Sequence, residues 1–169
     1  MTPDQLKALV RTVPDFPQPG ILFRDISPLL RHAFGPTIEA LSALLDEREW
    51  SQVEAVAGIE SRGFILAAAL ALRHRKGFVL VRKKGKLPPP VVELAYGLEY
   101  GKGVLEMQAG NGRLLLVDDV LATGGTLKAA AALAELAGYG MFQSIVLLDL
   151  KLQPPFHWDR PPVRAALQY

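Results

Sequence analysis

The sequence contains no cysteine. That removes a disulfide framework, a thiolate nucleophile and any Cys-ligated zinc or iron–sulfur centre. The absence accords with a reducing compartment, and a cytoplasmic location is expected. An excess of charge of one sign is also missing: nineteen Lys and Arg stand against seventeen Asp and Glu, a formal net charge of +2. So small an imbalance leaves no electrostatic footprint for nucleic acid, and no nucleic-acid partner is expected. No apolar run approaches the roughly 18 residues of a membrane span, so no membrane is expected either. The opening Met1-Thr2-Pro3-Asp4-Gln5 has no basic stretch leading into an apolar one and does not read as a signal peptide. His32, His74 and His157 are scattered and read as surface residues rather than metal ligands.

What is present is the composition of a folded domain, 50% apolar and 21% charged over 169 residues. With about 150 residues per domain as the usual size, a single domain over 1–169 is expected. Thirteen prolines gather mainly at 14–19, 88–90, 154–155 and 161–162, and these clusters mark loops. Between them the pattern is periodic. Thr2 caps a first helix with Pro3 at its first position. A loop is expected from Pro14 to about Pro28, and an amphipathic helix from Thr37 to Glu49. Apolar runs at Val53 to Ile59, Phe78 to Val81, Leu114 to Val117 and Ser144 to Leu148 read as strands. Helices are expected over Phe64 to His74 and Leu127 to Ala137. Strands that are continuously apolar and alternate with helices predict an α/β domain with a parallel sheet covered on both faces. The segment 84–113 breaks this rhythm, and a stretch of that length inside a compact domain is usually functional.

The most informative string is Leu114-Leu115-Leu116-Val117-Asp118-Asp119-Val120-Leu121-Ala122-Thr123-Gly124-Gly125-Thr126. Two adjacent carboxylates leave an apolar strand; neither is stable in a core without a partner. Gly124 and Gly125 remove the Cβ atoms that would keep a ligand away from the backbone. The helix behind them presents free N–H groups and its positive dipole end, which makes a phosphate site. The carboxylates beside it suit the two neighbouring hydroxyls of a ribose. Taken singly, Asp118-Asp119 also reads as an Asx turn and Thr126 as a helix cap. The string is neither a Walker A loop nor a dinucleotide fingerprint, since Gly-Lys-Thr and G-x-G-x-x-G are absent.

This string resembles the phosphoribosyl-pyrophosphate (PRPP) motif of the type I phosphoribosyltransferases, in the form found in the adenine phosphoribosyltransferases. Other segments agree. Phe16-Pro17-Gln18-Pro19-Gly20-Ile21-Leu22-Phe23-Arg24-Asp25-Ile26-Ser27-Pro28 is similar to the family's base-binding loop. Glu60-Ser61-Arg62-Gly63 resembles its pyrophosphate loop, where the first position is often Asp. Arg82-Lys83-Lys84-Gly85-Lys86 resembles the start of its catalytic loop and Leu98-Glu99-Tyr100-Gly101 the end; Leu167-Gln168-Tyr169 is similar to its C-terminus. The resemblance implies the type I fold, a central, mostly parallel sheet flanked by helices. It also implies an N-terminal helix and base-binding hood over 1–35, a core over 36–150 and a mobile catalytic loop at about 84–100.

The resemblance further implies transfer of ribose 5-phosphate from PRPP to adenine, giving AMP and pyrophosphate in purine salvage. Glu99 would be the catalytic residue, holding a proton at adenine N7, with Tyr100 packed beside it. Asp118 and Asp119 would hold the ribose hydroxyls, and Ala122, Thr123, Gly124, Gly125 and Thr126 the 5′-phosphate. Glu60, Ser61, Arg62, Arg82 and Lys86 would serve the pyrophosphate, and Leu22, Phe23 and Arg24 the adenine. Mg²⁺ is the expected cofactor, held through PRPP and water with no side chain as direct ligand, and a homodimer is the expected assembly. Singly, Arg62 also reads as a surface ion pair, the run 82–86 as a solvated face, and Leu22 with Phe23 as a lid over the core. Alternatives are a sister enzyme acting on a 6-oxo purine, a non-catalytic PRPP or purine sensor, and an unrelated phosphosugar enzyme. Two features depart from the family pattern: a short stretch between Met107 and Leu114, and the prolines at 88–90. Gln153 to Arg164 has no functional reading.

Overall fold

The computed structural model describes residues 1–98, 101–152 and 159–169. In chain order the elements are α1 (Pro3–Lys7), β1 (Arg11–Pro14), β2 (Leu22–Asp25), α2 (Ser27–Ser42), α3 (Glu47–Gln52), β3 (Ala55–Ile59) and α4 (Arg62–His74). They continue with β4 (Gly77–Lys83), β5 (Val92–Leu98), β6 (Gly101–Met107), β7 (Arg113–Leu121), α5 (Gly125–Leu136), β8 (Gly140–Asp149) and β9 (Arg164–Gln168).

The main sheet has the order β5-β6-β4-β3-β7-β8-β9. Strands β4, β3, β7, β8 and β9 are mutually parallel, while β6 is antiparallel to β4 and β5 to β6. The apolar runs divide by the period of two that a strand imposes. In β7, Leu115 and Val117 face a core built with α1, α2 and α4; Leu114 and Leu116 face a second core built with α5. All four are fully buried, and truncating any of them to Ala should cost about 2–5 kcal/mol.

Several local expectations change. The loop expected from Pro14 to Pro28 contains half of an antiparallel ribbon, β1 on β2, with Val13 opposite Phe23. The helix expected over Thr37 to Glu49 is two helices. α2 begins at Ser27, because Asp25 Oδ1 accepts the Ser27 N–H at 2.9 Å and Pro28 suits a first turn. Its backbone departs from helical at Ala33, a few residues before Pro36, which lacks an N–H and crowds the preceding turn. Asp46 then caps α3 in a reciprocal pair with Glu49, so a new helix starts there. Within the segment 84–113, β5 and β6 pair antiparallel, with Leu98 opposite Gly101, and extend the sheet past β4. Strand β7 does not stop at Val117. It loses β3 there, but β8 carries it on through Asp118 opposite Val146 to Leu121 opposite Asp149.

Candidate functional site

Parallel neighbours β3 and β7 each end in a turn followed by a helix, so two helix N-termini point to the same edge of the sheet. The turns touch. A Cβ on Gly63 would sit 3.0 Å from Asp118 Oδ1 and 3.0 Å from the Val117 carbonyl, so glycine permits the approach. Gly58 lets α4 lie close on β3 in the same way, since a Cβ there would fall only 2.9 Å from that of Ala67.

Asp118 and Asp119 are buried. Asp118 Oδ1 accepts the Asp119 N–H at 2.9 Å. Burial pushes the Asp118 carboxyl well up, and the neighbouring Asp119 charge adds to it. Burial pushes Asp119 up as well, against the opposing pull of the Arg62 guanidinium. Arg62 Nη2 lies 2.7 Å from Asp119 Oδ2, but without hydrogen-bond alignment, since Oδ2 is buried with no hydrogen-bond partner. A buried acceptor left in this state is what a ligand hydroxyl satisfies. Gly124 stands at the N-cap of α5, where its φ of +83° suits glycine, and no side chain caps the helix. Its first N–H groups are therefore open to an anion beside Thr123 and Thr126. α4 likewise has no side-chain cap at Ser61.

The hood faces this edge. A cleft of about 520 Å³ is lined by Arg11, Val13, Phe16, Phe23, Asp25 and Ser27 of the hood and by Ser61 and Arg62 of the first turn. Phe16 and Phe23 meet edge to face with centroids 5.1 Å apart, and the Arg62 guanidinium lies 5.1 Å from the Phe23 ring. Leu22 and Arg24 stand on the opposite face of the ribbon from Phe23. Pro14 has no N–H to give, so the ribbon's exchanged bonds fall at Val13–Phe23 and Arg11–Asp25. The main-chain groups of Leu22 and Arg24 then face away from β1. Arg24 donates to Thr12 Oγ1 and lies 4.3 Å over the Tyr169 ring.

On the other side of the first turn, Glu60 Oε2 accepts from Arg82 Nε at 3.2 Å and from the Lys83 N–H at 3.0 Å. Burial raises the Glu60 carboxyl, but these two donors outweigh it and leave it below its ordinary value. Glu60 thus holds Arg82, while Lys86 is exposed on the turn after β4. Glu99 and Tyr100 lie outside the described residues, as do residues 153–158 of the stretch that had no functional reading.

The structure therefore brings Ser61, Arg62, Asp118 and Asp119 together, with Phe23 facing Arg62 and Glu60 gripping Arg82. Two contributors escape sequence reasoning. Asp25 ties the ribbon to α2 and ion-pairs Arg11 at 2.8 Å. Glu106 gathers the backbone of residues 85–87. The available signals were Asp-x-Ser-Pro ahead of a helix, and a carboxylate inside the apolar string Val104-Leu105-Glu106-Met107. Among the described residues no group of three or more His, Cys, Asp and Glu could hold a metal ion. The buried carboxylates Asp118 and Asp119, with Asp119 Oδ2 lacking a hydrogen-bond partner, are hard oxygen groups whose chemistry fits a Mg²⁺ reached through substrate hydroxyls and water.

The fold and its paired turns define a phosphoribosyl transferase domain, and the family model of that description matches residues 29–166. An adenine phosphoribosyltransferase of Hydrogenovibrio crunogenus is 51% identical over 165 residues, covering 97% of this chain and 96% of that protein. The crystal structure of the Rhodothermus marinus adenine phosphoribosyltransferase matches with a TM-score of 0.84 at 42% identity, over 99% of this chain and 98% of that one. The Giardia lamblia enzyme, solved in complex with 9-deazaadenine, matches with a TM-score of 0.87 at 34% identity, over 100% and 98%. The chain belongs to the phosphoribosyltransferase family and, within it, to the adenine phosphoribosyltransferases.

Proposed function

We propose that this chain transfers ribose 5-phosphate from PRPP to N9 of adenine, giving AMP and pyrophosphate. The observation that carries the reading is the contact of the two turns at Gly63 and Asp118. PRPP has an anion at each end of one ribose, and this contact puts two open helix N-termini on either side of a carboxylate pair. Asp118 and Asp119 accept the ribose hydroxyls and, lying near the sugar, favour the positive charge that develops at C1. The amides from Ala122 through Thr126, with the Thr123 and Thr126 hydroxyls, hold the 5′-phosphate. Ser61, Arg62, Arg82 and Lys86 hold the pyrophosphate, and Glu60 orients Arg82. Phe23 stacks on the adenine, while the main chains of Leu22 and Arg24 read its edge. Stacking tolerates any base, so discrimination falls to these hydrogen bonds. Glu99, assigned by motif alone, holds a proton at N7 as N9 attacks, and Tyr100 packs beside it when the segment 84–100 closes over the site. Closure has a purpose, because water competes with adenine for PRPP.

Mg²⁺ bound to PRPP would be held indirectly, by Asp118 and Asp119 through the ribose hydroxyls they accept and by Arg62, Arg82 and Lys86 through the pyrophosphate. When bound, the ion would supply neutralisation of the charge on the pyrophosphate. A homodimer is supported by Ile65 and Leu72 of α4 and Phe78 of β4, large apolar side chains left exposed. No helix among the described residues is long and apolar enough to cross a membrane, and the missing cysteine supports a cytoplasmic site of action.

The test is AMP formation from PRPP and Mg²⁺ with adenine, hypoxanthine, guanine and xanthine in parallel. Turnover with adenine alone is expected. Turnover of a 6-oxo purine instead, or PRPP binding without turnover, would overturn the reading.

A further inference from the structure

We propose that Glu106 is a positioning residue for the pyrophosphate end of the site, setting the turn that carries Lys86 and, through the Lys86 carbonyl, steadies Arg82; this rests on the reading above. Glu106 stands in β6 opposite Arg82 of β4. It is 2% exposed, whereas the turn it faces is open to solvent. Its two carboxylate oxygens collect three consecutive backbone amides. Oε2 accepts the Gly85 N–H at 2.9 Å, and Oε1 accepts those of Lys86 and Leu87, each at 2.6 Å. Three N–H groups converge on one carboxylate only if the chain bends sharply, and Gly85 supplies the bend with a φ of +80°. Charge-assisted bonds of this kind are short and strong, so the turn is fixed from beneath.

The order is passed on to the cationic side chains. The Lys86 carbonyl, held next to its captured N–H, accepts from Arg82 Nη1 at 3.2 Å. Arg82 Nε is in turn held by Glu60. A continuous chain of contacts thus runs from Glu106 through the turn to Arg82 and on to Glu60 in the turn after β3. The neighbouring β6 residues Leu105 and Met107 are buried in the core, so β6 does not need a carboxylate at position 106 to pack. The side chain fits the task of organising amides, and its carboxyl is held below the ordinary range first by the Gly85 N–H and then, against burial, by those of Leu87 and Lys86.

The experiment is Glu106→Gln, which keeps the side-chain volume but replaces one acceptor oxygen with a donor. The KM for PRPP and the Kd of magnesium pyrophosphate are expected to rise about tenfold, while the KM for adenine stays within about twofold. In a Lys86→Ala background the same substitution should have a smaller effect, because both changes act on one group. An unchanged pyrophosphate Kd, an equal rise in the adenine KM, or full additivity with Lys86→Ala would each overturn the proposal. If Glu106→Gln does not fold, Glu106→Asp keeps the charge one methylene short and carries the same test. Failure of the wild-type chain to make AMP sinks the proposed reaction instead, and the magnesium pyrophosphate titration tells the two failures apart.

Discussion

The turns after β3 and β7 share a plan but not a chemistry. Each joins a buried parallel strand to a helix whose N-terminus no side chain caps. After β3, the turn carries Arg62, and its carboxylate, Glu60, is directed to Arg82 and the backbone of Lys83. After β7, the carboxylates Asp118 and Asp119 precede the turn, and the turn itself is neutral. The helix dipole offers the same partial charge at both. What separates them is whether the anion is met by cationic side chains or by backbone amides. Under the proposed reaction this matches the fate of the two groups: pyrophosphate leaves, and the 5′-phosphate stays on the product.

The largest test asks whether either turn performs the chemistry at all. Glu99→Leu should lower kcat with adenine by about 10²–10⁴-fold and leave PRPP affinity nearly unchanged. If kcat survives within about threefold, under 1 kcal/mol of barrier, catalysis belongs to the turns and the comparison must be redrawn. Next, Asp119→Asn removes the carboxylate that meets Arg62, and kcat/KM for PRPP should fall about 10²-fold; unchanged kinetics would remove its ribose role.

A third test separates function from stability. Asp118 is raised by burial and by Asp119, so the folded chain keeps its proton to higher pH than the unfolded chain does. Stability therefore falls as pH rises through the interval between the two pKa values, and levels off above the folded one. Asp118→Asn should raise Tm at neutral pH while impairing PRPP use. Its advantage over wild type should grow across that interval, each 1 kcal/mol appearing as about 2–4 °C. A lower Tm for the variant would show that the carboxylate stabilises the fold.

The smallest effects compare the caps. Gly124→Ala places a side chain at a φ of +83° and should cost about 1–2 kcal/mol by thermal unfolding. Ser61→Ala removes a hydroxyl that makes no cap bond and should stay within about 0.5 kcal/mol. Equal costs would mean the turns are held in the same way.

Much of the scaffold is legible in the sequence because its signals are local. Thr2 with Pro3 marks α1, and the apolar runs mark β3, β7 and β8. The ribbon β1–β2 and the hairpin β5–β6 are hidden: prolines interrupt their surroundings, β1 and β2 do not alternate strictly, and in β5 the exposed positions include Ala95 and Gly97, so its alternation of burial is faint as a polar pattern in the sequence. Tyr96 lies opposite Gly103 in that hairpin, its ring close over the glycine, a packing visible only once the register is known. Asp46 with Glu49 is a readable start of a helix, masked because the apolar stripe before it runs up to the cap without a break.

The sequence by itself determined which residues stand at the two strand ends, that glycine follows them, and the family to which the motifs point. Those are statements about neighbours along the chain, where propensity and spacing act directly. Tertiary structure alone decided that Gly63 rests on Asp118, that Arg62 reaches Asp119, and that Glu106 takes the amides of the turn before Pro88. These contacts depend on the sheet order that sets β7 beside β3 and β6 beside β4, an order chosen by burying both faces of the sheet at once.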